Sequence, residues 1–198
     1  MNQYQQKYYN TKNLLKTWSK IPGQHPVIVF SLNHHTLYGC FSNFYKHKPF
    51  LFKIPNWCGI MAGFEAEIDF SEKAIILCKA SLMNDVQTFN KILSNTNPYY
   101  QFKINNWNQK LWEQFVCLIT KEVVETKFKK VDGLKEILFL TKNHLIALAS
   151  SKDKLWGIGM DESNPDFEYP SKWKGVNILG WALMELRDKL LEKDNYID

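Results

Sequence analysis

Residues 71–80 read Ser-Glu-Lys-Ala-Ile-Ile-Leu-Cys-Lys-Ala. Ala74 to Cys78 leave no polar side, and a helix that is apolar all round belongs in an interior. Ser71 is placed to act as N-cap, and Glu72 falls in the first turn, where a carboxylate suits the helix dipole. Seven residues make nearly two turns, so Glu72 and Lys79 share one face, roughly 10 Å apart along the axis. Ile75 and Ile76 lie between them on that face. Opposite charges on a buried helix, too far apart for an easy direct pair, leave a gap that a polar ligand fills. The plainer alternative is a solvated Glu72 and a Lys79 that snorkels to water, since ionisable groups more often serve structure than chemistry.

The totals frame that helix. At 198 residues and 45% hydrophobic content, the chain fits one domain, or one domain with an appendage, and can bury a sizeable core. No low-complexity run suggests disorder. No segment approaches about 20 apolar residues, and the first twelve residues lack the apolar core of a secretion signal, so a cytoplasmic protein without a membrane span is expected. Cys40, Cys58, Cys78 and Cys117 form no CxxC pair and have no His at ligand spacing. That pattern argues against a zinc site or a disulfide framework and for buried free thiols. The net charge of +5 and pI near 8.9 favour anionic partners such as nucleotides or nucleic acid, weakly, because the lysines are scattered. Arg187 is the sole arginine. It is either a planar fork for a bidentate ligand or one half of a structural ion pair.

Along the chain, residues 1–25 form a polar lead-in with a short helix over Asn13 to Lys20, stopped by Pro22-Gly23. Val27 to Ser31 reads as a strand. The stretch 40–52 is aromatic at 41, 44, 45, 50 and 52, with Ser42-Asn43 breaking it as a turn. Its rings are either core around a bend or a stacking wall for a planar base. Residues 53–70 read as a loop with a short strand. Helices are expected over Asp85 to Leu93, over Trp107 to Lys129 and over Leu134 to Leu140. Leu145 to Ala149 is a strand or a buried turn. Gly157 and Gly159 flank Ile158 after Trp156, which marks a tight turn without the dinucleotide fingerprint. Residues 161–175 read as a polar loop, and a last helix runs from Asn177 to Glu192. Gly180 inside it costs about 1 kcal/mol relative to Ala, so a neighbouring helix or a ligand must approach there.

The ordered set of these pieces resembles the NADAR family, which includes YbiA-type N-glycosidases. The matching residues are Phe41-Ser42-Asn43-Phe44; Glu72 with Lys79; Lys127-Phe128; Asp153, Trp156, Gly157 and Gly159; Gly175, Asn177, Leu179 and Gly180; and Leu183, Met184 and Arg187. They span roughly residues 40–190. Three departures stand out. Leu148 occupies a position where relatives often carry Glu. The common Ala-Lys-x-x-Gly-Arg segment is not visible around Tyr99 to Asn106. Lys73 stands where His often follows the key Glu.

The resemblance implies a mainly α, multihelical YbiA-like single domain with a few short β-strands, over residues 26–194 behind an extension at 1–25. It implies cleavage of an N-glycosidic bond between a phosphorylated ribose, ADP-ribosyl or phosphoribosyl, and a base or base-like amine. The family's substrate classes are riboflavin-pathway phosphoribosylamino-pyrimidines and ADP-ribosylated guanine in nucleic acid. No cofactor or metal is implied. Glu72 is the carboxylate expected near the anomeric carbon, stabilising an oxocarbenium-like transition state or activating water. Asp153 is a second carboxylate or the cap of its own turn. Lys79 holds a phosphate or acts as an amine nucleophile on a ring-opened ribose. Phe44 and Trp156 are candidates for stacking, and Lys127 and Arg187 for phosphate contact. Ser42, Asn43, Gly157, Gly159 and Asn177 complete the expected substrate-binding set. The alternative is an ADP-ribose or nucleotide-binding module that has lost its chemistry.

Overall fold

Residues 71–82 form the expected helix, and ten of its twelve residues are buried. The computed structural model describes residues 26–31 and 36–194. The lead-in at 1–25, with its helix over Asn13 to Lys20, lies outside the described residues. Among the described residues the fold is mainly α, with five α-helices and four strands of four residues each. Contacts divide the chain into two units: Asn43–Val131, and the segments before and after it.

In the Asn43–Val131 unit, strands β2 (Phe50–Lys53) and β3 (Glu65–Ile68) pair antiparallel, with Phe52 opposite Ala66. Phe52, Ala66 and Ile68 are buried while Leu51, Lys53, Glu65 and Glu67 are exposed, the period-two pattern of a half-buried hairpin. Residues 53–70 are thus a loop with one short strand, as expected, and that strand closes a hairpin with β2. Helix α1 (Ser71–Leu82) packs against both α2 (Val86–Leu93) and α3 (Gln109–Lys130), which explains why it has no polar side. The expected cap is displaced by one residue: Phe70 is the N-cap, extended and without a side-chain cap bond. Ser71 is buried and its Oγ has no hydrogen-bond partner. The first turn is served instead by a main-chain acceptor, the carbonyl of Asn43, which takes the Glu72 N–H at 2.9 Å. The far end of α1 is held by a loop in which Ser81 Oγ donates to the Cys58 carbonyl and accepts from Met61 N–H at 3.0 Å. Gly59, at φ 73°, lies so near that a Cβ would fall 2.1 Å from the Ser81 carbonyl oxygen, so only glycine fits. Asp85 and Asn108 cap α2 and α3, accepting from Thr88 and Leu111 N–H, both at 3.0 Å.

The other unit is built on a parallel pair. β1 (Val27–Phe30) lies beside β4 (Leu145–Leu148), with Val27 opposite Leu145, so the 145–149 segment is a strand. β4 is buried at all four positions. Helix α5 (Ile178–Asp194) packs on it, and α4 (Leu134–Leu140) packs against α5. What approaches Gly180 is neither a helix nor a ligand but this strand: a Cβ there would sit 2.0 Å from the Ile146 carbonyl oxygen. Ala147, Ile158 and Met160 form a buried cluster with Val27, Val29, Phe167 and Trp173 packed around it. Two short 3-10 turns, Pro165–Glu168 and Pro170–Lys172, shape the 161–175 loop. All four cysteines are buried free thiols. No helix among the described residues is long and apolar enough to cross a membrane.

Candidate active site

Within residues 71–80, Glu72 and Lys79 are the two that are only half-buried. Both open onto one cavity of about 690 Å³, and Ile76 lines it between them. Ile75 turns into the core and is fully buried, so the apolar floor is Ile76 alone. The remaining walls come from Phe44 and from the segment Pro98 to Trp107. Among the described lining residues Glu72 is the only carboxylate and Lys79 the only ammonium.

Aromatic rings frame this charge pair. Phe44 stacks on Tyr99 with centroids 5.2 Å apart and planes 10° apart. Trp107 lies 5.9 Å from Trp112, and the Lys79 Nζ sits 4.8 Å over the Trp112 ring. A cation over a tryptophan face is attracted by the ring quadrupole. Of the aromatic stretch 40–52, Phe41 and Phe52 are core, whereas Phe44 lines the cavity.

The wall segment is irregular but tied down. Asn97 Oδ1 accepts the Tyr99 N–H at 3.0 Å, and Asp85 Oδ2 accepts the Asn105 N–H at 2.7 Å. Burial alone would raise the Asp85 pKa, but hydrogen bonds from Thr88 and Asn105 outweigh it and lower the value to about 2. Tyr99, Tyr100, Phe102 and Trp107 are therefore cavity residues that the sequence reading did not single out. The segment that departs from the family pattern is the one that forms the wall.

Asn43, His47, Lys73 and Lys127 are not among the described residues that line this cavity. The Asn43 carbonyl joins the turn to α1, as described, and its side chain is buried. Lys127 is buried, with its Nζ 5.4 Å over the Tyr45 ring. His47 stacks on Phe50 at 4.8 Å and donates through Nδ1–H to the Lys48 carbonyl at 3.0 Å. Burial, and then the Lys127 charge, lower its pKa against the pull of the Lys48 hydrogen bond and of Asp69. Lys73 is 8% exposed.

In the other unit the expected residues form two local systems. Asp153 Oδ1 accepts the N–H groups of Leu155 and Trp156 at 3.0 and 2.8 Å, which makes the carboxylate a turn cap. Gly159 N–H donates to the Asp153 carbonyl and Asn177 N–H to the Gly157 carbonyl, each at 3.1 Å. The Leu155 and Trp156 carbonyls take the N–H groups of Ile178 and Leu179, so this turn caps α5. The Asn177 side chain clips β4, accepting from Leu148 N–H at 3.1 Å and donating to the Ile146 carbonyl at 2.9 Å. Arg187 is buried. Its Nη1 donates to Thr141 Oγ1 and the His144 carbonyl, and its Nε to Asp188. Ser42 is buried and its N–H donates to the Gly39 carbonyl at 3.1 Å.

The fold is mainly helical and carries a carboxylate and an ammonium on one aromatic-walled cavity. The NADAR domain profile matches residues 29–191, and the chain belongs to that family. Protein irg-1 of Caenorhabditis elegans is 29% identical over 164 residues, covering 79% of this chain and 77% of its own. N-glycosidase R617 of Acanthamoeba polyphaga mimivirus is 31% identical over 128 residues, covering 63% of this chain and 75% of its own. The solution structure of YbiA from Escherichia coli shares the fold with a TM-score of 0.61 at 22% identity, covering 87% of this chain and 92% of YbiA.

Proposed function

We propose that this protein is an N-glycosidase that hydrolyses the bond between the anomeric carbon of a phosphorylated ribose and the nitrogen of a base or base-like amine. The observation that carries the reading is Glu72: the only carboxylate among the described residues of the cavity, in the first turn of a buried helix, with Lys79 two turns away and aromatic rings around both. Cleavage develops positive charge on the ribose C1′, which a nearby carboxylate stabilises, and the same group can take the proton of the attacking water. The water oxygen bonds to C1′ as the C–N bond breaks, and the base leaves with the bonding pair and is protonated. Lys79 serves better as a charge than as a nucleophile, because its Nζ lies over the face of Trp112 in a cation–π contact. A phosphate of the substrate is its natural counter-ion. NADAR membership and the N-glycosidase name of the mimivirus relative support the same chemistry.

The test is product analysis. ADP-ribosylated oligonucleotide and a phosphoribosylamino-pyrimidine are incubated with protein and the released base is identified by mass. Release by the wild type, lost in Glu72→Gln, is expected for one of these substrates. Unchanged release by Glu72→Gln would remove Glu72 from the chemistry.

A binding-only reading draws on Leu148, which is 5% exposed at the end of β4 and offers no acid where relatives often carry Glu. It requires tight binding of ADP-ribose together with no base release from any substrate in the panel.

A further inference from the structure

A second cavity, of about 510 Å³, opens beside the first in the same unit, and the two share Tyr100, Gln101 and Phe102 as lining residues. A ligand that continues past this common wall leaves the first cavity and enters the second. The two cavities differ in charge. The first holds one carboxylate and one ammonium, whereas the second is lined by Lys91 and Lys103 with no acidic residue. The wider sequence keeps it so, since residues 86–112 contain no Asp or Glu. The nearest acid along the chain, Asp85, has its carboxylate engaged by the N–H groups of Thr88 and Asn105. Neither lysine has an ion-pair partner among the described residues. A concave surface carrying one sign of charge concentrates the opposite sign, and lysine meets phosphate as a point charge. Lys91 also lies in the last turn of α2, where a cation suits the helix dipole. That role explains Lys91 alone and leaves Lys103 and the missing acids unexplained.

We propose that the second cavity is a phosphate-ester subsite, taking a phosphate that lies beyond the ribose held at Glu72. This rests on the glycosidase reading of the first cavity. The substrate is then elongated, with sugar and scissile bond in one cavity and a further phosphate in the next, past Tyr100. Two sources supply such a phosphate: the backbone of a nucleic-acid strand, or the diphosphate of a free ADP-ribose-like ligand.

The experiment uses the full chain and two probes, a fluorescein-labelled unmodified single-stranded oligodeoxynucleotide followed by anisotropy and ADP-ribose followed by calorimetry. Lys91→Glu/Lys103→Glu is compared with Lys91→Arg/Lys103→Arg. Both sites are exposed, and unchanged thermal melting verifies the fold. Charge reversal is expected to weaken at least one probe by about tenfold or more, with the arginine pair close to wild type and the affected binding steepest in salt. Loss confined to the oligonucleotide assigns the phosphate to a strand, and loss confined to ADP-ribose assigns it to the compact ligand. The proposal is overturned if wild type binds neither probe, if both probes bind the glutamate pair within about twofold of wild type, or if the arginine pair is as weak as the glutamate pair. Base release by the wild type is scored separately. Release with binding indifferent to charge reversal removes the subsite alone, and charge-dependent binding without release from any substrate removes the hydrolysis alone.

Discussion

The carbonyl of Asn43 accepts the main-chain N–H of Glu72 at 2.9 Å. The first N–H groups of a helix have no partner within it, and α1 receives no side-chain cap. The Phe41-Ser42-Asn43-Phe44 turn supplies the acceptor, so one hydrogen bond fixes both the start of the helix and the place of Phe44. Two stretches 28 positions apart in the chain, from residue 44 to residue 72, thereby come to line a single cavity.

Phe44 and Tyr99 extend that placement to the wall. Their near-parallel rings are worth about 0.5–1.5 kcal/mol beyond buried area. Tyr99→Ala is therefore expected to raise KM by about two- to tenfold with kcat little changed, and Tyr99→Phe to behave as wild type. Phe44→Ala should cost a similar amount, and the double variant less than the sum, because one contact is lost in each case. Steady-state kinetics of the four proteins decide it; full additivity would mean the two rings do not act as a unit.

Lys79 allows its two expected roles to be told apart. Over the Trp112 ring it is placed to meet a substrate phosphate as a point charge, so borohydride added during turnover should trap no adduct on it. Lys79→Arg should keep most activity, and Lys79→Met should lose about tenfold or more in kcat/KM through the missing charge. Mass spectrometry of the quenched protein gives the answer, and a substrate-dependent reduced adduct on Lys79 would establish the nucleophile instead.

How far the chain discloses its fold depends on where each element finds its partners. Helix α1 is legible because its burial is complete and local composition records it. Its cap is not, because the acceptor comes from Asn43, far away in sequence, while Ser71, the obvious local donor of a cap, is buried without one. The hairpin is half legible, since strands of four residues carry too few alternations to stand out. Gly180 signals close approach, but which element approaches depends on β4, 34 positions from Ile146 to residue 180. The cavity wall at Pro98 to Trp107 has no periodicity to read. It did carry a signal: an acid-free run rich in Asn and aromatic residues between Asp85 and Glu113, held by asparagine side chains rather than by a ladder.

Asp85 ties the wall to α2 and sets an acid limit. Its pKa is lowered to about 2 in the fold, against about 3.9 in an unfolded chain. A depressed carboxylate contributes stability that is fully present above the unfolded value and lost as pH falls through the folded one. The protein should therefore lose about 2 kcal/mol between pH 4 and 2, a loss that Asp85→Asn does not show. Above pH 5 the variant should be less stable by a similar amount. Its KM should also rise, since Asn105 and the wall lose their anchor. Chemical denaturation across pH, compared between the two proteins, measures it.

His47 gives a second pH dependence at a different place. Its pKa is lowered, chiefly by burial, so between the unfolded value near 6.5 and the folded one only the unfolded chain takes up the proton. Stability should fall as pH drops below about 6.5, and His47→Gln should flatten that slope without touching the Asp85 limb below pH 4. The groups around the ring are Lys127, which opposes its protonation, and Asp69, which favours it. Lys127→Met should accordingly shorten the His47 limb and lessen the stability lost there, because the folded pKa rises toward the unfolded one. A His47→Gln profile that still falls between pH 6.5 and 5 would place the titration on another group.

Gly180 gives the sharpest packing prediction. The atom a Cβ would meet, at 2.0 Å, is a strand carbonyl oxygen, which cannot step aside as a flexible side chain would. Helix propensity favours alanine there by about 1 kcal/mol. The clash outweighs it, because overpacking costs about 1–3 kcal/mol even where side chains can adjust, and here the strand itself must shift. Gly180→Ala is therefore expected to destabilise the protein by about 2 kcal/mol or more in urea denaturation. Asn177, whose amide holds the same stretch of β4 at Ile146 and Leu148, should show the same sensitivity. Asn177→Ala leaves two buried main-chain groups without their partner, at a cost of about 1–3 kcal/mol. A Gly180→Ala protein as stable as wild type would mean that α5 and β4 do not meet as closely as the Ile146 carbonyl requires.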